Sequence, residues 1–298
     1  MNKLIASIKR EYLEEVRSYI SLSAIVGGLI LLTTSCLVIA ALVQSTSLSP
    51  ITHEHNAAPI IHTTMRVISL PFSFVLWLSV FQYFLSCLYT DRKDGSILFW
   101  LSMPVNTRTT IAAKVITGLF IAPFMASIGI LLTTLGVCFF LFIVPIHMNL
   151  WMYFPVLHPI TLFQAWLHVL VILWQQGLWL LPLFAWCLLC SAQANKAPAV
   201  RAIVLPLIVI VLEFTINKTH VVSTFISTRF SYGSSFIDST FQHIRLNSST
   251  WYQHTFGDTT SWLTLHHQGE QFVIGLIIAA VCIALATFLR YRCYGFDR

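Results

Sequence analysis

Ionisable side chains are scarce in this chain, and Glu213 is the only carboxylate inside one of its long apolar segments. A carboxylate at membrane depth is a candidate functional group, because leaving water is costly for a charge. Glu213 lies near the end of its segment, so two interpretations stay open. It lines or gates a polar path through the apolar body, or it reaches the membrane surface or accepts hydrogen bonds there.

A second polar set lies on the fourth apolar segment. Helical spacing allows Gln164, His168 and Gln175 to share one face, while Gln176 points elsewhere. Such a face could line a cavity. The same side chains could equally form hydrogen bonds between helices of the bundle or of a dimer. We predict Glu213, Gln164, His168 and Gln175 as candidate residues of a path through the membrane.

Motifs for catalysis and for cofactor binding are missing from the sequence. Cys187 and Cys190 have CxxC spacing but lie within an apolar segment, where packing is the better interpretation. No HExxH sequence occurs, and the paired histidines lack carboxylates or cysteines at ligand spacing. No Gly-x-x-x-x-Gly-Lys-Ser/Thr sequence occurs either. The sequence therefore predicts a chain that is not an enzyme and that binds no metal, cofactor or nucleotide itself.

Composition indicates an integral membrane protein. The 298 residues are 57% hydrophobic and 9% charged, and the mean hydropathy is +0.79. An apolar helix of about 20 residues crosses a bilayer core. We predict one all-α, polytopic membrane domain, 1–298, with six transmembrane helices at about 20–43, 67–90, 115–144, 160–191, 198–216 and 271–290.

The basic residues are distributed unevenly between the two sides of these spans. Most of the 17 lie before span one, between spans two and three, between spans four and five, or after span six. By the positive-inside rule both termini are cytoplasmic. The charge thus orients the protein and predicts no nucleic-acid partner.

The flanking segments complete the predicted layout. Residues 1–19 have an amphipathic pattern, which predicts an interfacial helix before the chain turns into span one; a solvated charged tail is the alternative. Residues 217–270 form the largest external loop, long enough for a small cap or for re-entrant helices. Its aromatic side chains suit the boundary between membrane and water.

The cytoplasmic segment 91–114 concentrates charge between spans two and three. It begins Asp91-Arg-Lys-Asp-Gly95 and continues into the apolar run Ser96–Leu101. Gly95 can end the preceding helix, and Pro104 ends the short helix that follows. Asn106 or Thr107 can cap the next helix. The pattern predicts a short helix held across the ends of two spans.

This segment resembles the region before the third span of ABC-2-type transporter permeases. That family shows an acidic residue followed by Arg, a Gly, a leucine-rich short helix, then Pro-Val/Ile and a Lys. Asp91 stands where Glu is usual, and Asp94 is an additional acid, which we expect to tune docking. The match covers about 25 residues, and the predicted topology extends it along the chain. The resemblance implies that the ATPase-coupling residues are Asp91, Arg92, Gly95, Leu98, Leu101, Pro104, Val105 and Lys114.

The resemblance also implies the partners. The chain would be the permease subunit of an ABC exporter in the bacterial cytoplasmic (inner) membrane. Two ATPase subunits would bind ATP and Mg²⁺ and push on the coupling segment, and a second copy of the chain would complete the pathway in the lipid bilayer. An intramembrane enzyme and a membrane assembly factor without transport activity remain the alternatives.

Overall fold

The computed structural model describes residues 2–43, 58–93, 106–148, 159–194, 197–217, 220–230 and 266–294. These residues are almost entirely helical, and no strand occurs among them. Six of their helices are long and apolar enough to cross a membrane, which confirms the predicted number of spans and a multi-pass membrane protein. The elements are α1 (Asn2–Val43), α2 (Ala58–Lys93), α3 (Thr107–Ile116, a π-helical turn Thr117–Ile121, and Ala122–Met148), α4 (Pro159–Gln193), α5 (Pro198–Leu212 with a π-helical turn Glu213–Asn217), α6 (221–230) and α7 (His266–Tyr294).

Contacts between side chains fix the directions of the helices. Trp77 on α2 bonds to Gln176 on α4, 99 residues later, and Leu88 bonds to Ser191, 103 residues later. A nearly constant difference in residue number means that α2 and α4 run parallel. Trp186 on α4 donates to the carbonyl of Ala202 on α5. Because this contact joins the end of α4 to the start of α5, these two helices run in opposite directions.

Glycines allow α1 and α3 to pack closely. A Cβ added at Gly27 of α1 would lie 2.6 Å from Thr133 Oγ1 on α3. A Cβ at Gly129 of α3 would lie 3.0 Å from Ser23 Cβ on α1. Small residues at a contact between membrane helices let the backbones approach and gain dispersion contacts. The sequence difference is again constant along this contact, so α1 and α3 run parallel.

Aromatic rings fill the contact between α2 and α4. Phe184 stacks on Phe84 with ring centroids 5.4 Å apart and meets Phe81 edge-on at 4.7 Å. Trp77 adds a further stacked contact to Phe184 at 5.7 Å. In contrast, Ala202 is the only buried hydrophobic residue of α5. The core therefore lies at α2, α3 and α4, while α5 presents its apolar side chains outward, as suits a helix in lipid.

The π-helical turn of α3 ends two residues before Pro123. In a regular α-helix the proline ring crowds the carbonyl four residues earlier and supplies no N–H. Widening the helix at Thr117–Ile121 relieves this crowding, and the Ala122 N–H donates to the carbonyl of Thr117 in the π pattern. The turn also brings Gly118 against the ring of Phe84.

The structure differs from the predicted interfacial helix at residues 1–19. One helix runs without a break from Asn2 to Val43, so the predicted turn into span one at residue 20 is wrong. The physical reason is packing: Glu11 and Tyr19 are buried against neighbouring helices. The first turns of α1 thus belong to the bundle.

Gly118→Ala is expected to lower the free energy of unfolding by about 1–3 kcal/mol, the usual cost of overpacking. The new Cβ would lie 2.6 Å from Phe84 Cζ, and Phe84 is 1% exposed. The measurement is unfolding in mixed micelles titrated with SDS. Gly28→Ala is the matched control, because a Cβ there meets nothing within 4 Å. Equal effects of the two variants would contradict the close Gly118–Phe84 contact.

Candidate functional site

Four charged side chains meet where the beginnings of α1 and α3 lie close to the ends of α2 and α7. Lys114 Nζ lies 3.1 Å from Glu11 Oε1 and 3.6 Å from Asp91 Oδ2. Arg290 Nη2 donates to the same Asp91 oxygen at 3.3 Å. We call Glu11, Asp91, Lys114 and Arg290 the charged network, and this end of the bundle the charged end. Each carboxylate faces a cation, so the set is electrically balanced.

The charged network is withdrawn from solvent. The side chains of Glu11 and Lys114 are each 3% exposed, and those of Asp91 and Arg290 are 12% and 11% exposed. Tyr83 OH donates to Glu11 Oε2 at 3.1 Å. Removing one partner from such a buried set strands a charge, which costs far more than losing an exposed ion pair. Replacing any one of the four residues is therefore expected to destabilise the protein by leaving a buried charge without its partner.

The network joins four helices that are distant in the sequence. Glu11 belongs to α1, Asp91 to α2, Lys114 to α3 and Arg290 to α7. The bonds between these residues thus tie together the beginnings of α1 and α3 and the ends of α2 and α7. A displacement of any one of these helix ends would strain contacts with the others.

A separate set of hydrogen bonds ties α4 to α2 at the charged end. Arg92 donates to the backbone carbonyls of Ser191 and Ala194, the latter at 2.7 Å. Ser191 Oγ accepts from the backbone N–H groups of Leu88 and Tyr89 at 3.2 and 3.1 Å. Arg92 thus links the end of α2 to the end of α4.

The predicted coupling residues fall into two groups. The structure brings together Asp91 and Lys114 and turns Arg92 onto α4, so these three side chains face the bundle. Asn106 Oδ1 accepts from the N–H of Arg108 at 3.3 Å, which confirms the predicted cap of α3. The predicted short helix and its site residues lie outside the described residues: Gly95, Leu98, Leu101, Pro104 and Val105.

Sequence reasoning missed Glu11, Tyr83, Ser191 and Arg290 as members of this site. Glu11 follows Ile8 by three positions and precedes Tyr19 by eight, which places it beside apolar residues of one helix face. A carboxylate at such a position is a sign of a buried partner. Nothing in the local sequence identified that partner as Lys114, 103 residues away.

The residues of the predicted polar face of α4 differ in their exposure to solvent. Gln164 is exposed, His168 is buried and Gln175 is partly buried. Gln176, which was not predicted as a site residue, is buried and accepts from Trp77 Nε1 at 3.0 Å. The Gln176 bond is a contact between helices, the alternative that the sequence left open for this polar set.

Glu213 caps α6. Its two carboxylate oxygens accept from the backbone N–H groups of Val221 and Val222 at 2.6 and 3.0 Å. The first N–H groups of a helix lack partners within the helix, and a carboxylate there also complements the helix dipole. This geometry gives Glu213 a structural role at the connection from α5 to α6, and its predicted place in a transport path stays a prediction.

Arg229 is a buried cation near the C-terminal end of α6. Arg229 is 2% exposed and donates to the backbone carbonyls of Trp179 on α4 and Gln271 on α7. Its guanidinium also lies 4.2 Å from the ring centroid of Trp179 and 4.7 Å from that of Phe225. We call this arrangement the Arg229 seat. Arg229 is not a predicted site residue, because its position in the external loop 217–270 gives no sign of burial.

Comparison of the chain with models of known protein families, with curated proteins and with solved structures finds no match.

Proposed function

We propose that this chain is the membrane-spanning permease subunit of an ABC-2-type exporter, driven by a separate ATPase. The support comes from three features: the six helices, the charged network that links α1, α2, α3 and α7, and the resemblance of segment 91–114. In this proposal the chain itself catalyses no reaction. ATP and Mg²⁺ are bound by two copies of the ATPase subunit, and two copies of the permease enclose the path through the bilayer.

The observation that carries the proposal is the position of the charged network relative to the coupling segment. Residues 94–105 are flanked by Asp91 at the end of α2 and Lys114 in α3, and these two side chains pair at 3.6 Å. Glu11 and Arg290 extend the contact to α1 and α7. A force on the segment would therefore reach four helices through short, desolvated contacts, which suits a switch between two packed arrangements.

The proposal divides the coupling residues by task. Leu98, Leu101 and Pro104 belong to the segment that would dock on the ATPase. Asp91, Arg92 and Lys114 face the bundle and would pass the motion on. The proposed location is the bacterial cytoplasmic membrane, with the charged end on the cytoplasmic side.

The test is purification of the tagged chain from its native membrane in mild detergent, followed by identification of co-purifying subunits and an ATPase assay. We expect recovery of a soluble subunit with a Walker-type nucleotide site. Leu101→Glu is expected to weaken binding of this subunit at least about tenfold, because a charge would enter an apolar contact.

Leu13→Glu is the matched control. Leu13 is a 58% exposed leucine near the same end of the bundle but outside the coupling segment, so this variant should retain the ATPase. Recovery of the chain without any ATPase would overturn the proposal. Equal retention by the two variants would refute docking through the segment.

A further inference from the structure

The buried cations of this protein differ in how their charge is balanced. At the charged end Lys114 faces Glu11 and Asp91, and Arg290 faces Asp91. Arg229 is buried as completely, yet no carboxylate lies within 4 Å of it in the part of the chain that the structure describes. Its contacts are two backbone carbonyls and two aromatic rings. These contacts supply dipoles and π-electrons, but no countercharge.

Arg229 also retains unused hydrogen-bonding capacity. A guanidinium has five N–H donors in a planar fork, and the seat engages Nη1 and Nη2 with one carbonyl each. Nε is buried and has no acceptor among the described residues. Guanidinium geometry favours two parallel bonds to a carboxylate or a phosphate. The donor set thus matches an oxyanion that the described residues do not provide.

The seat lies well inside the bundle. Trp179 precedes Ser191 by twelve residues on α4, a distance of about 18 Å along a helix. Phe230, next to Arg229, stacks on Phe81 of α2, which precedes Asp91 by ten residues, or about 15 Å. On α7, Gln271 accepts from Arg229 and precedes Arg290 by nineteen residues, or about 28 Å, so the seat lies closer to the opposite end of the bundle than to the charged end.

The seat is closely packed around Arg229. A Cβ added at Gly275 of α7 would lie 2.5 Å from Nη2 and 3.0 Å from Cζ. Glycine at position 275 is therefore needed for the guanidinium to occupy this place. On the α7 side the packing leaves no room for a ligand, so an anion reaches Arg229 from another side or after α6 moves from the seat.

We propose that Arg229 binds the oxyanion of an anionic amphiphile, and that the Arg229 seat is its resting place in the unliganded protein. This inference rests on the proposed function for its role, as recognition of an anionic substrate. The oxyanion supplies the countercharge that the described residues do not provide, and the rings of Trp179 and Phe225 offer an apolar surface to the rest of the molecule. The carbonyls of Trp179 and Gln271 hold the cation until the ligand replaces them.

The test uses dodecyl phosphate as the probe, with dodecyl maltoside as its neutral counterpart of equal chain length. The full chain, with any co-purifying subunits, is placed in nanodiscs of phosphatidylcholine, and equilibrium binding of each radiolabelled probe is measured. We expect Arg229→Gln to weaken dodecyl phosphate binding by about tenfold or more, the scale of a charge-assisted bond. Binding of dodecyl maltoside should not change.

Three further variants separate recognition from structure. Arg229→Lys keeps the charge but loses the fork, so its affinity should lie between those of wild type and Arg229→Gln. Gly275→Ala displaces the guanidinium from its seat without removing it, so dodecyl phosphate should bind as well as before or more tightly. Arg201→Gln removes an exposed cation that contacts the Gln193 carbonyl, and binding should stay at the wild-type level.

The opposite results would overturn the inference. Equal affinity of wild type for the two probes would do so, as would equal loss of dodecyl phosphate binding in Arg229→Gln and Gly275→Ala. A lower melting temperature of Arg229→Gln with unchanged probe binding would leave Arg229 a purely structural residue. Because binding is measured without ATP, failure here is distinct from failure to recover an ATPase.

The source of the anion is decided by a second bilayer composition. Nanodiscs that contain phosphatidylglycerol present an anionic lipid at high local concentration. If this lipid reduces dodecyl phosphate binding to wild type but not the residual binding to Arg229→Gln, the site accepts a membrane lipid. If dodecyl phosphate binding is unaffected, the site takes an amphiphile other than the bulk lipid. Either result supports an oxyanion at Arg229.

Discussion

Lys114→Met is expected to lower the free energy of unfolding by about 3–5 kcal/mol, the cost of stranding a buried charge. Lys114 is 3% exposed and faces Glu11 and Asp91. Without it, Glu11 keeps only the hydroxyl of Tyr83 among the described residues, while Asp91 keeps Arg290. The free energy is measured by SDS titration in mixed micelles, with protein yield after membrane extraction as a second observable.

The double variant Glu11→Gln/Lys114→Met distinguishes a stranded charge from lost packing. Removing both charges leaves Asp91 with Arg290, so the double variant should be more stable than Lys114→Met alone. Arg10→Gln is the control, because the side chains of Arg10 and Glu14 are 25% and 51% exposed, and a solvent-exposed ion pair contributes at most about 1 kcal/mol. A double variant as unstable as the sum of its parts would show that the charges act independently.

Under the proposed permease function, Asp91→Asn is expected to reduce transport-coupled ATPase stimulation by about 5- to 150-fold, the range of typical coupling energies. Asp91 is the one residue of the charged network that contacts two cations, Lys114 and Arg290. Asparagine keeps the size and loses the charge, so the link from α2 to α3 and α7 is weakened. The measurement is ATP hydrolysis by the reconstituted complex in proteoliposomes, with and without transported substrate.

Binding of the ATPase to Asp91→Asn should be retained, because Asp91 faces the bundle and the docking surface is proposed for residues 94–105. This separates Asp91→Asn from Leu101→Glu, which should lose the ATPase itself. Arg10→Gln again serves as the control with an altered charge near the same end. Full stimulation in Asp91→Asn would exclude the charged network from coupling, and loss of ATPase binding would place Asp91 at the docking surface.

The number and approximate position of the spans could be predicted from the sequence, because hydropathy is a local property of about 20 consecutive residues. The cap at Asn106 was predictable for the same reason: a cap involves residues two or three positions apart. The boundary of span one was not predictable in this way. Whether α1 breaks near residue 20 depends on what Glu11 and Tyr19 pack against, and those contacts lie on other helices.

The sequence by itself determined that this is an all-helical, multi-pass membrane protein, since the bilayer requires each spanning segment to satisfy its own backbone hydrogen bonds. It also identified Asp91 and Lys114 as unusual charges. Only the tertiary structure decided that these two residues meet Glu11 and Arg290, that Glu213 caps α6, and that Arg229 is buried with no carboxylate beside it among the described residues. Each of these facts joins residues of different helices or segments, and hydropathy and local spacing carry no information about which helix ends become neighbours.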